Sequence, residues 1–120
     1  MNGRVDEALR ALVDIAIRRT ESEAPTVITV WIDTAFNGFL VFPHKMIAQL
    51  ALDQEAATEA VLADGSHVTL ESFACYVEWF GETVRAQVIG NTGKLPLLGT
   101  ELLAKRTLLI EYTTGIVSIS

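Results

Sequence analysis

Cysteine is nearly missing from this chain: Cys75 stands alone in 120 residues. A single cysteine closes no disulfide framework and builds no thiolate cage for a metal. Set among Phe73, Tyr76 and Val77, it is expected to be a buried, inert thiol rather than a nucleophile. Positive charge is scarce as well. Nine Lys and Arg face fifteen Asp and Glu, for a formal net charge of −6. The nine are scattered, which argues against nucleic acid or an anionic membrane as partner, because phosphate contacts need clustered cations. No apolar run approaches the roughly 20 residues that cross a bilayer. The opening Met-Asn-Gly-Arg-Val-Asp-Glu has acids where a secretion leader is apolar, so a cytoplasmic location is expected. His44 and His67 are too far apart for a helical metal pair, and no metal or organic cofactor is expected. Gly90-Asn91-Thr92-Gly93-Lys94 has the wrong spacing for a phosphate loop and no Ser or Thr after Lys94.

What is present is a folding composition. Half of the residues are apolar, enough for one domain spanning residues 1–120. Val13, Ile15 and Ile17 alternate with Asp14, Ala16 and Arg18 as in a strand, although Val5, Leu9, Leu12 and Ile15 also fit a helix face; the strand is preferred. Polar residues 20–25 then turn the chain, and Thr26 to Ile32 returns as the second arm of a hairpin. Val30-Trp31-Ile32 reads as buried strand, with Asp33 at its end and Thr34-Ala35-Phe36-Asn37-Gly38 as a tight loop. Phe39 to Phe42 is a further short strand, and Pro43 is placed to open a helix carrying Met46, Ile47 and Leu50 on one face. Ala63-Asp64-Gly65-Ser66 is a turn between strands at 58–62 and 67–80. A strand over Thr83–Ile89 and a loop over Gly90–Lys94 lead to the apolar Leu97-Leu98-Gly99. Thr100 is expected to cap a short helix on which Glu101 and Lys105 lie four apart. Thr107–Tyr112 and Ile116–Ile119 complete the chain as strands around Thr114-Gly115. Many short strands with one or two short helices predict an all-β barrel.

The order of these pieces resembles the retropepsin-like aspartic proteases, and more narrowly their small bacterial and archaeal members. The resemblance runs from about residue 10 to 115 and rests on Ile32-Asp33-Thr34-Ala35, Gly38 to Pro43, Leu62 to Ser66 and Pro96 to Gly99. It implies a closed barrel that works as a homodimer and hydrolyses peptide bonds. Asp33 would be the catalytic carboxylate, shared with its symmetry mate, and Thr34 and Ala35 would shape the site. Ala63, Asp64, Gly65 and Ser66 would form a flap over an extended peptide. Leu97, Leu98 and Gly99 would support the loop, Gly99 leaving room for its backbone. Among Trp31, Phe36, Phe39, Trp79 and Phe80, only Phe36 is moved toward substrate; the others are expected in the core. Ile116–Ile119 is the expected dimer strand, with an N-terminal strand beside it.

Departures from the family's pattern are specific. Ala35 stands where the commoner motif has glycine; it keeps the backbone N–H, but it would be strained if the loop required positive φ. Asn37 and Thr100 replace an Asp and an Arg that pair in retroviral members, so neither charge is orphaned. The flap has fewer glycines. The alternative function is therefore a catalytically silent dimeric module of the same fold that binds a peptide or protein without cleaving it.

Overall fold

Alternation prevails over the helical reading near the N-terminus. Asn2–Val5 forms β1 and Ala11–Arg18 forms β2, in which Val13, Ile15 and Ile17 are buried while Asp14 is exposed. β2 pairs antiparallel with β3, Thr26–Ile32, through partners such as Val13↔Val30 and Ile15↔Ile28. β4 is Leu40–Pro43 and leads directly into α1, His44–Leu50. Pro43 supplies a fixed φ of −55° at the helix start. Ile47 is buried, with Met46 and Leu50 packed beside it on the core. Ala51 ends the helix in the left-handed region, where its N–H reaches the Ala48 carbonyl. This is the computed structural model of residues 1–61 and 63–120, with all their side chains except those of Thr58 and Ala60. Leu62, read above as part of the strand and motif leading into Ala63, lies outside the described residues.

β5 is Asp53–Val61 and β6 is His67–Trp79, an antiparallel hairpin longer than its sequence signal. Phe80 and Gly81, both at positive φ, turn β6 into β7, Glu82–Asn91, with Trp79 opposite Glu82. That is the geometry a two-residue hairpin loop demands. β7 runs on through Gly90 and Asn91, which the sequence reading gave to a loop. Leu97–Leu98 is β8, Thr100–Leu103 is α2, Leu108–Glu111 is β9 and Ile116–Ile119 is β10.

The ladder order β6-β7-β4-β8-β3-β2 closes on itself, because β2 also pairs with β6 through Ile17↔Val77 and Arg18↔Tyr76. A six-stranded ring results, and its inward side chains include Val13, Val30, Leu40, Phe42, Val77, Val88 and Leu98, all fully buried. Burying such side chains contributes about 1.5–3 kcal/mol each, which sets the barrel as the stable part of the molecule. The expected all-β barrel with two short helices is the fold observed. Among the described residues no helix is long and apolar enough to cross a membrane. Cys75 is buried as expected.

Two local expectations are corrected. Gly99, not Thr100, holds the N-cap position of α2, with extended backbone and no side-chain cap. Ala104 leaves helical geometry at ψ 131°, and Lys105 follows at φ 63°, so Lys105 lies beyond the helix and does not share a face with Glu101. The C-terminal strand is the larger correction. The expected N-terminal strand is present, but β1 pairs with β10 of the same chain (Asn2↔Ser118, Arg4↔Ile116), and β9 pairs along the other side of β10. Both edges of Ile116–Ile119 are therefore occupied, and this strand has no free ladder to offer a second copy. The open edges of the sheet are β5 and β9.

Candidate active site

The Asp33 loop is clamped by backbone. β8 runs parallel to β3, pairing Trp31 with Leu97 and Ile32 with Leu98. The Trp31 N–H donates to the Pro96 carbonyl at 2.9 Å and the Asp33 N–H to the Leu98 carbonyl at 2.9 Å. Beyond Asp33 the chain turns, the Phe36 N–H donating back to the Asp33 carbonyl at 3.2 Å. The far limb of the loop is tied to the start of α2: Gly99 N–H to Phe39 O at 2.8 Å, Thr100 N–H to Phe36 O at 2.9 Å, and Glu101 N–H to Gly38 O at 3.1 Å. Helix-start N–H groups, which lack partners inside their own helix, are thus satisfied by the loop's carbonyls.

Two glycines make this approach feasible. A Cβ on Gly99 would lie 2.2 Å from the Gly38 carbonyl oxygen and 2.8 Å from that of Phe36. A Cβ on Gly38 would lie 2.4 Å from Cζ of Phe36. The Phe36 ring fills the space that both glycines leave, so its assignment to the substrate side is corrected: it packs within the loop. Trp31 is the reverse case. Val30 and Ile32 are buried, but alternation turns Trp31 to the other face, where it is 39% exposed.

The Asp33 carboxylate is oriented by its own loop. Its Oδ1 accepts the Ala35 N–H at 3.0 Å, a local turn that holds the acid in one rotamer. Ala35 is not among the residues at positive φ, which outside glycine are Leu9, Ala51, Phe80 and Lys105. The loop therefore does not need the conformation that alanine resists. Asp33 is half-buried, and a cavity of about 380 Å³ opens on it, lined also by Trp31, Ile32, Thr34, Ala35 and Leu97. Among the described residues, Asp33 is the only carboxylate on that lining. Thr34 is exposed, and no hydrogen bond among the described residues engages its hydroxyl. Leu97 and Trp31 thus line the cavity, which the reading of Leu97 as support and Trp31 as core missed. Strand parity next to Asp33 is the signal that could have found Trp31. An equally large cavity beside α2, between Trp79, Val84 and Arg106, includes none of the Asp33 loop.

Ala63, Asp64, Gly65 and Ser66 form an exposed tip at the end of the β5–β6 hairpin and do not line the Asp33 cavity. Gly65 sits at φ 85° with open space around it. The Asp64 carboxylate accepts the Ser66 hydroxyl at 2.6 Å and its N–H at 2.9 Å, which holds the acid below its ordinary range. Among the described residues no cluster of three or more His, Cys, Asp or Glu is placed to hold a metal.

The sequence matches no known family profile and no curated protein. Solved structures do match in shape. A retropepsin-like aspartic protease from Rickettsia conorii aligns with a TM-score of 0.69 at 13% identity, covering 98% of this chain and 86% of that one. EIAV protease in complex with the inhibitor HBY-793 aligns at 0.54 and 17% identity, covering 80% and 86%. With the ring of six strands, the loop at Asp33 and the apolar pair followed by Gly99 behind it, the chain has the retropepsin-like fold.

Proposed function

We propose that this protein is an aspartic endopeptidase, active as a homodimer in which the Asp33 carboxylates of two copies share one proton. The observation that carries the reading is the Asp33 loop itself: an accessible carboxylate, fixed by the Ala35 N–H and a backbone clamp, at the mouth of a cavity walled by Trp31, Ile32, Ala35 and Leu97 beside Thr34. One carboxylate cannot serve as acid and base at the same moment. Two held a few ångströms apart cannot both ionise cheaply, so one keeps its proton and polarises the scissile carbonyl while the other takes a proton from the attacking water. The proton then moves to the leaving amine as the tetrahedral intermediate collapses. Positioned proton transfer of this kind contributes on the order of 10²–10⁴ in rate.

The remaining roles follow from position. Thr34, with its hydroxyl at the exposed end of the loop, is the residue that braces the loop against the second copy. Ala63–Ser66 closes over bound peptide, and Leu97-Leu98-Gly99 backs the loop. The silent binding module drew its support from strain at Ala35, and the absence of positive φ there removes that support.

The test is cleavage of a diverse peptide library from about pH 4 to 7, the range in which a carboxyl pair titrates, with Asp33→Asn alongside and the oligomeric state recorded. Wild-type cleavage that tracks the dimer population, together with at least a ~100-fold loss in Asp33→Asn, is expected. A confirmed dimer that binds peptides and cleaves none would overturn the catalytic reading in favour of the binding module.

A further inference from the structure

The groove at Asp33 continues past Leu97. Trp31 and Leu97 are register partners on β3 and β8, and they wall both the Asp33 cavity and a second one of about 240 Å³. The charged and amide side chains of this second cavity are Arg10, Asn91 and Lys94, and among the described residues no carboxylate lines it. In a chain with a net charge of −6, this is a local reversal of sign beside the candidate active site.

The three polar groups are not equally free. Arg10 donates from Nε to Asp6 Oδ2 at 2.7 Å, its Nη2 lies 2.7 Å from the same oxygen, and its guanidinium stands 5.8 Å from the Trp31 ring centroid. It is held in place, and its charge is largely answered. Asn91 Oδ1 accepts the Gly93 N–H at 3.0 Å, so the hydrogen-bonding capacity left to its side chain is mainly that of the NH₂ donor. Lys94 is exposed and forms no ion pair among the described residues. The unused capacity of the cavity is therefore donor and cation, beside the apolar wall of Trp31, Leu95 and Leu97.

We infer that this cavity is a specificity subsite in which Lys94 selects an acidic side chain of the peptide, next to a subsite over Trp31 and Leu97 that takes an apolar one. The inference rests on the peptide reading proposed above. In an extended peptide, side chains two residues apart share a face about 6.5–7 Å from each other. The favoured sequence thus has an apolar and an acidic residue separated by one. Charge complementarity at an exposed lysine is modest, so a preference of about fivefold for Glu over Gln is expected, weakening as salt rises from about 0.05 to 0.5 M.

The experiment uses synthetic peptides drawn from the library that place Glu, Gln or Lys two residues from an apolar side chain, on either flank. Their kcat/KM is measured with the wild type and with Lys94→Glu, and their affinity by fluorescence anisotropy with Asp33→Asn in both backgrounds. The expected result is a salt-sensitive Glu preference, carried by KM and Kd, that Lys94→Glu inverts in favour of Lys. Equal handling of the three peptides, or a Glu preference untouched by Lys94→Glu, overturns the subsite while leaving an observed cleavage standing. Lys94-dependent acidic selection in binding with no turnover sustains the subsite and overturns the peptidase. A protein that neither binds nor cleaves any of them overturns both.

Discussion

The two ends of the β5–β6 hairpin lie in opposite environments. The inner half of β6, with Ala74, Cys75, Val77 and Trp79 buried, is barrel wall, whereas the tip at Ala63–His67 is wholly exposed. The Asp33 loop resembles the first region in its ties: backbone bonds to β8 and α2 and two glycines hold it in place. The tip is ordered by its own ladder and the Asp64–Ser66 turn. Under the function proposed above, the Asp33 loop would be the fixed floor of the site and the tip a cover whose position is set by few interactions. That division suits a reaction that must hold its carboxylate within a fraction of an ångström yet admit a peptide.

The sharpest way to break the contrast is Gly99→Val. Its Cβ meets two backbone oxygens, which cannot rotate aside, so the loop and α2 must separate. A loss of about 3 kcal/mol in urea unfolding is expected, together with loss of any peptide turnover. An unchanged midpoint would show that the clamp is looser than its geometry.

Cys75 tests the wall. Burial pushes its thiol from 9.0 up to about 12. The folded protein therefore keeps the proton after the unfolded chain has lost it, and the stabilisation is complete below about pH 9 and declines as pH rises toward 12. Wild type should lose more stability than Cys75→Ala over that range, and the native thiol should resist aromatic disulfide reagents until the barrel unfolds. Rapid labelling of native protein would place β6 in a less protected state.

The smallest effect belongs to the tip. Hydrogen bonds from Ser66 lower the Asp64 pKa, so their benefit is present above the unfolded carboxyl's ordinary value and is lost as pH falls through the folded one. The Ser66 amide shift should titrate below pH 3.8 in an NMR series and stop doing so in Asp64→Ala, with the rest of the spectrum unmoved. Barrel resonances displaced by Asp64→Ala would join tip and wall after all.

Local chemistry was legible before the structure. The strand end at Asp33, the helix opened by Pro43, the turn at Ala63–Ser66 and the close approach at Gly99 all follow from residue types whose backbone demands are specific. Direction was not. Whether Trp31 or Phe36 faces the groove depends on strand parity at one position and on the space that Gly38 and Gly99 leave from opposite sides of the loop. The end of α2 was misread because Ala104 and Lys105 carry no obvious stop signal. Arg10 and Lys94, 84 positions apart, share a cavity only because β8 lies beside β3, and pairings of that range leave no trace in a single segment.

The enclosure of β10 between β1 and β9 bears on the order of assembly. Where terminal strands must be borrowed from a partner, a chain cannot finish folding alone, and folding and association become a single event. Here β1 and β10 of one chain pair with each other, and the Met1 nitrogen donates to the Ile119 carbonyl at 2.9 Å. Both ladders of β10 are thus closed within one protomer. Below the dissociation constant of the proposed dimer, the cell would hold a folded, silent stock of protein whose activity grows with the square of its concentration, so that expression level alone would act as the switch.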